Sequence, residues 1–280
     1  MASRSDSAAN FQPGNLPYVK LCRFELKASP GEIRSGMVYS GKIYETDGAE
    51  SIAVYEADQV RPLTPIARPA SLRFFRIQNG VLNRTVDDGL PTYFYGNPGA
   101  VYGPSQVIPC PSTVAHLGFE CYLAAIVGSD GLQIPIEAGD DFILGFSLLT
   151  VIVARDWLRE DQEANRGPGR SFDIGASLGP VITTPDDLDE TLMEETPARK
   201  YELSAVTRVN GVEVGRSEIQ DLPGAIAELV SAASESGPIR SGDVLAFGPI
   251  AVPQEISFLS EGDDVQFTVE HLGTLSVKIG

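Results

Sequence analysis

The sequence predicts a β-rich α+β protein, and three features carry that prediction. Leu117–Gly128 (LGFECYLAAIVG) and Phe142–Val153 (FILGFSLLTVIV) are apolar runs of strand length, read as strands buried on both faces. Turn residues punctuate the chain throughout, with 28 Gly and 20 Pro among 280 residues. One segment, Pro223–Ser234, has a clear helical stripe: Leu222, Ile226, Leu229, Val230 and Ala233 share a face, and Gly237-Pro238 closes it.

Taken in order, residues 1–16 read as a flexible tail, without the apolar centre of a signal peptide. Val19–Leu26 alternates as a strand does. Met37–Tyr39 and Lys42–Tyr44 flank Ser40-Gly41 as a tight hairpin, and Ile52–Tyr55 is a further short strand. Arg61-Pro62 to Pro69 is a Pro-rich connection, so residues 17–70 are expected to form a small N-terminal β-rich domain and 71–280 the main one. Ser71–Val81 has no clean period and reads as a short helix or an ordered loop. Ala154–Asn165 is polar with helical propensity and ends at Gly167-Pro168-Gly169; Thr184 is expected to cap a short helix that starts with Pro185. Val265–Val269 and Thr274–Ile279 form a terminal hairpin.

A formal net charge of −17 sets the surface against nucleic acid and anionic lipid. No apolar run approaches the roughly 20 residues that span a bilayer, so neither a membrane nor a nucleic acid is expected as partner, and a cytoplasmic location is. Cys22, Cys110 and Cys121 are too scattered for a disulfide framework or a zinc site.

Inside Leu117–Gly128 sits one carboxylate, Glu120. An unpaired carboxylate in an apolar run costs several kcal/mol or takes up a proton, so it marks a candidate site. Side chains two apart share a strand face, which aligns Glu120 with Tyr122, and with His116 if the strand reaches back that far. A pocket is expected on that face.

Several motifs, in shared order, resemble the fumarylacetoacetate hydrolase superfamily. They are TYFYGNPGAVYGPSQVIPCP (Thr92–Pro111), LGFECYLAAIVG, GFSLLTVIVARD (Gly145–Asp156), RSFDIGASLGPVITTPDDL (Arg170–Leu188), VNG (Val209–Gly211) and SGDVLAFG (Ser241–Gly248). The resemblance implies a mixed β-roll, a homodimer, and chemistry on β-keto and enol acids with Mg²⁺ or Mn²⁺ held by carboxylates. The chemical residues depart from the pattern. The family's D-x-E-x-E becomes Gly118, Glu120 and Tyr122, and its next aspartate ligand is Val151. Its Glu-x-His pair, after an S-x-R-x-F motif matched by Ser71, Arg73 and Phe75, is Asn79 and Val81. The lysine of its K-x-F segment is Arg170, its glutamine after A-R-D is Leu158, and its C-terminal G-T is Gly248-Pro249. One carboxylate beside a neutral phenol is a poor cage for Mg²⁺, so no divalent metal and no cofactor are expected.

The candidate residues each admit two readings. Glu120 is a general acid or base, or a relic carboxylate paired with an arginine. Tyr122 donates a proton or a hydrogen bond to an oxyanion, or fills the volume of a lost ion. His116 is catalytic, or lies in the preceding loop. Arg155 holds a substrate carboxylate, or pairs with Asp156; Arg170 binds an anion, or forms a structural salt bridge. Tyr93, Tyr95 and Tyr102 line the entrance or a dimer contact, and Asn79 is grouped with the substrate-binding residues. These residues point to a metal-independent enzyme that cyclises, isomerises or eliminates from an enolisable, polyketide-like small molecule. The rivals are a conventional hydrolase or decarboxylase of β-keto acids, and a non-catalytic binding or scaffold protein.

Overall fold

The computed structural model describes residues 19–48, 50–78, 81–85, 89–194, 199–219, 226–253 and 258–280. The predicted tail, Asn79, and the predicted helix start at Leu222 and Pro223 lie outside them. Five strands open the chain: β1 (Lys20–Leu26), β2 (Ser29–Tyr39), β3 (Lys42–Asp47), β4 (Glu50–Glu56) and β5 (Val60–Leu63). The β2–β3 turn is the expected one, with Ser40 at φ 48° and Gly41 at φ 76°, the paired positive values of a tight hairpin. The Pro-rich connection differs from expectation, because Arg61-Pro62 lies in β5. That strand pairs with β1 alone, and an edge strand tolerates a proline with no N–H to donate.

Next come β6 (Leu72–Gln78), β7 (Val81–Leu82), β8 (Tyr93–Tyr95), β9 (Val101–Tyr102) and β10 (Val107–Ile108). Leu72–Gln78, most of the stretch read as helix or loop, is therefore strand. It shows no alternation because β6 is covered on both faces: Phe74 and Phe75 are adjacent and both fully buried. The two long strands follow, β11 (Leu117–Val127) and β12 (Ile143–Ala154), and β12 runs straight into α1 (Arg155–Glu163). The chain continues through β13 (Gly175–Thr183), β14 (Leu192–Glu194), β15 (Lys200–Tyr201), β16 (Ser204–Val209) and β17 (Val212–Glu218). It ends with α2 (Ile226–Ser234), β18 (Val244–Gly248), β19 (Asp264–Val269) and β20 (Gly273–Ile279). The short helix after Thr184 is a 3-10 helix, Pro185–Thr191, and the Thr184 side chain makes no capping bond to it.

The main sheet runs β4-β3-β2-β1-β13-β12-β11-β18-β6-β7, with β5 on β1, β8 on β6 and β9 on β13. It is mixed: β18–β6 and β13–β9 are parallel, and the other pairings are antiparallel. The N-terminal strands continue it through the β1–β13 pairing. A second sheet, β10-β20-β19-β16-β17, packs beside it.

β11 separates two apolar layers. Leu117, Phe119, Cys121, Leu123, Ala125 and Val127 face a large core with α2 and the second sheet. Tyr122, Ala124 and Ile126 face a smaller one with Phe74, Leu149, Val151, Leu158 and Phe172. All eleven residues of β11 are buried, as its apolar run predicts. The candidate site lies on the second face.

Candidate functional site

Glu120 projects from β11 into the smaller layer, where it is 4% exposed. Three donors hold its carboxylate. Arg76 Nη2 donates to Oε1 at 2.8 Å, Arg155 Nη1 donates to the same oxygen at 2.7 Å, and Tyr122 Oη donates to Oε2 at 2.5 Å. The fold explains each approach. β6 carries Arg76 two residues after Phe74 on one face, and α1 begins at Arg155 directly beyond β12. Nη2 of Arg155 also donates to the Phe119 carbonyl at 2.8 Å. Two guanidinium groups thus face one carboxylate, and the cluster carries one positive charge in excess. Burial, reinforced by the Glu120 charge, pushes the Tyr122 hydroxyl well above its ordinary pKa, so it stays a neutral donor.

Around this cluster the layer is rich in aromatic rings. Phe74 sits edge-on to Tyr122 with ring centroids 5.0 Å apart and stacks on Phe94 at 5.2 Å; Phe94 meets Phe172 at 5.0 Å. Val151, directly opposite Glu120 in the β11–β12 register, is fully buried in the same layer. The donor set does not suit a divalent cation. Of the three positions that carry ligands in the resemblance drawn above, Tyr122 and Val151 offer no carboxylate, and both Glu120 oxygens are engaged. Among the described residues no group of three His, Cys, Asp or Glu is placed to hold a metal.

A cleft of about 280 Å³ opens beside Arg76. Phe74, Tyr93, Phe94 and Leu158 give it apolar walls, and Arg76, Gln162 and Arg166 add polar groups with no acidic side chain among the lining. Glu120 and Tyr122 do not line it; Arg76 is the link between them and the cleft. On the opposite face of the sheet, Leu123, Phe146, Tyr201 and Phe247 line a cavity of about 30 Å³, room for about one water.

The remaining predicted residues are dispersed. His116 lies in the bend before β11 with its ring 4.4 Å from Phe258, and no contact joins it to Glu120. Arg155 does not pair with Asp156, a correction with a clear cause. Burial alone would raise the Asp156 carboxyl, but backbone N–H donors led by Ala115, at 3.0 Å, outweigh it and hold it below the usual range. That leaves Arg155 free to turn to Glu120. Arg170 is bound to Glu160 at 2.6 Å and Asp161 at 3.3 Å and lies over Trp157, which makes it a structural pair. Tyr95 is exposed and packs edge-on to Tyr93, while Tyr102 packs under Gly175; neither lines the cleft. Arg73 is buried, donates to the Ala233 carbonyl at 2.9 Å and faces the rings of Tyr93 and Tyr95.

Sequence reasoning missed Arg76. The available signal was a second arginine three residues after Arg73 in an apolar stretch, which places the two on opposite faces of a strand. Reading that stretch as helix or loop concealed it.

A mixed, strand-rich fold with this arrangement is that of the fumarylacetoacetate hydrolases. The profile of the fumarylacetoacetate (FAA) hydrolase C-terminal family matches residues 75–280, and the chain belongs to that family. An uncharacterized protein of Archaeoglobus fulgidus is 30% identical over 259 residues, 88% of this chain and 95% of that one. The oxaloacetate tautomerase YisK of Bacillus subtilis is 27% identical, over 81% of this chain and 75% of its own. The crystal structure of 5-carboxymethyl-2-hydroxymuconate delta-isomerase from Mycobacterium smegmatis superposes with a TM-score of 0.76 at 24% identity, covering 93% and 98% of the two chains. Kinship to such enzymes supports an isomerase-type activity. None of the described helices is long and apolar enough to cross a membrane.

Proposed function

We propose that the chain is a cation-independent enzyme that isomerises, cyclises or eliminates from an enolisable carbonyl compound. One observation carries this reading: the carboxylate at the heart of the site is saturated by Arg76, Arg155 and Tyr122, and Arg76 reaches from it into the cleft. The step such a cleft can assist is enolisation. A C–H proton next to the carbonyl passes to water in the cleft, and the enolate oxygen is held by the Arg76 guanidinium. Return of a proton to oxygen or to another carbon, or attack by the enolate carbon, completes the reaction. A fixed donor of this kind contributes roughly 10²–10³ in rate.

Glu120 and Tyr122 then act as positioning residues, because neither lines the cleft and both fix Arg76. The apolar walls of Phe74, Phe94 and Leu158 suit a substrate with an apolar skeleton, polyketide-like rather than a bare small acid, and a biosynthetic role accords with that. Its relative's substrate, oxaloacetate, belongs in the same test.

Chelator-treated protein incubated in D₂O with oxaloacetate and with larger β-dicarbonyl compounds should accelerate deuterium uptake, followed by NMR. Arg76→Met should lower that rate about 10²-fold with the fold intact. Exchange that appears only when Mg²⁺ or Mn²⁺ is restored would favour the ordinary family reaction. No exchange with any compound, and equal rates for wild type and Arg76→Met, would leave a binding protein.

A further inference from the structure

The cleft beside Arg76 draws its lining from two stretches, residues 74–94 and 158–168, and each contributes one arginine. The Arg76 side chain is 27% exposed and turns to Glu120, whereas that of Arg166 is 61% exposed and stands nearer the solvent. Arg166 is fixed all the same. Its N–H donates to the Asp161 carbonyl at 2.7 Å, and its Nε donates to Asp161 Oδ1 at 3.1 Å. Asp161 is a firm anchor, because its side chain is only 5% exposed in α1 and also takes Arg170 Nε at 3.3 Å.

A guanidinium held at Nε still presents Nη1 and Nη2, and among the described residues neither has an acceptor. Gln162, one turn after Leu158 on α1, lines the cleft too, and its side-chain amide has no partner among the described residues. No acidic side chain lines the cleft to compete for these donors. Resting on the enolising reading above, we propose that Arg166, together with Gln162, sets substrate specificity by holding a carboxylate at the end of the substrate remote from the oxygen that Arg76 holds. The substrate class is then an enolisable ketone whose apolar skeleton, seated against Phe74, Phe94 and Leu158, ends in an acid group. A planar fork of two N–H donors matches a carboxylate in shape as well as charge. Arg166 touches no reacting atom in this role, so its effect falls on KM.

The test uses two acids, 5,7-dioxooctanoate and 4-(3-oxobutanoyl)benzoate, each beside its methyl ester, which keeps the diketone and the skeleton and loses the charge. Binding is measured by titration calorimetry at low ionic strength, and enolisation by deuterium uptake. Wild type should bind at least one acid roughly five- to tenfold more tightly than its ester. Arg166→Met should abolish that preference by raising Kd and KM for the acid, with kcat and the constants of the ester unchanged. Arg166→Lys should restore part of it, and Arg76→Met should slow exchange yet leave the preference in binding intact. Should Arg166→Met not fold, Arg166→Gln carries the same expectation.

Arg166 also braces Asp161, and a merely structural role would weaken acid and ester alike and lower the melting temperature with them; that outcome overturns the assignment. Equal or undetectable binding of acid and ester by wild type overturns it too, as does a preference that survives Arg166→Met. An acid preference lost in Arg166→Met, without deuterium uptake by any compound, would keep Arg166 as the acid-binding residue and remove the enolising reading. Deuterium uptake with no acid preference would do the reverse.

Discussion

Tyr122→Phe separates a hydrogen-bonding role for this ring from a space-filling one. The change deletes one oxygen and keeps the ring, so the edge-on contact with Phe74 at 5.0 Å survives. What goes is the 2.5 Å bond to Glu120 Oε2, which has no other donor among the described residues. Glu120 is 4% exposed, so water cannot readily replace the hydroxyl. A hydrogen bond to a charged group contributes about 1.5–3 kcal/mol when the partner is left buried and unpaired. Part of that is offset because a buried phenol no longer needs desolvating, which leaves a net loss of about 2 kcal/mol. For a chain of this size that corresponds to a melting temperature lower by roughly 3–4 °C. Urea unfolding followed by circular dichroism, with a thermal scan beside it, measures both. A loss below about 0.5 kcal/mol would mean that the ring only fills space, and the coupling of Tyr122 to Glu120 would have to be abandoned.

Two further perturbations probe the surroundings. Asp156 has its folded pKa held below the ordinary value, so the stability it confers is complete above about pH 4 and is lost as pH falls through the folded value. Asp156→Asn should therefore cost about 1–2 kcal/mol at neutral pH and flatten the acid limb of the stability curve; an unchanged acid limb would contradict the bonds to the loop at Ala115. Burial pushes the Cys22 and Cys121 thiols up to about 12, while Cys110 is less buried and shifted less. A thiol reagent at neutral pH should modify Cys110 readily and the other two only on unfolding, counted by mass spectrometry; early labelling of Cys121 would show β11 to be open.

The long strands were legible because their signal is local. Leu117–Gly128 and Phe142–Val153 are apolar without interruption, and β11 and β12 occupy nearly those spans. β6 was not legible, since Arg73 and Arg76 break its apolar run and each is satisfied by a partner far away in the sequence. The same distance hid the aromatic packing: Phe74, Phe94 and Phe172 come from three segments and meet only in the folded chain. Glu120 and Tyr122 could be paired by strand parity. Their arginine partners could not.

β11 has fat on both sides, and that has a cost for folding. A strand whose two surfaces are equally greasy gains little from one alignment over the next, because sliding by a single residue still leaves hydrocarbon against hydrocarbon. Glu120 breaks the tie. Moved one place, its charge would turn away from both arginines and into the apolar core that includes the second helix. The acid thus serves as a key that fits one notch, and the whole central ribbon is indexed by it.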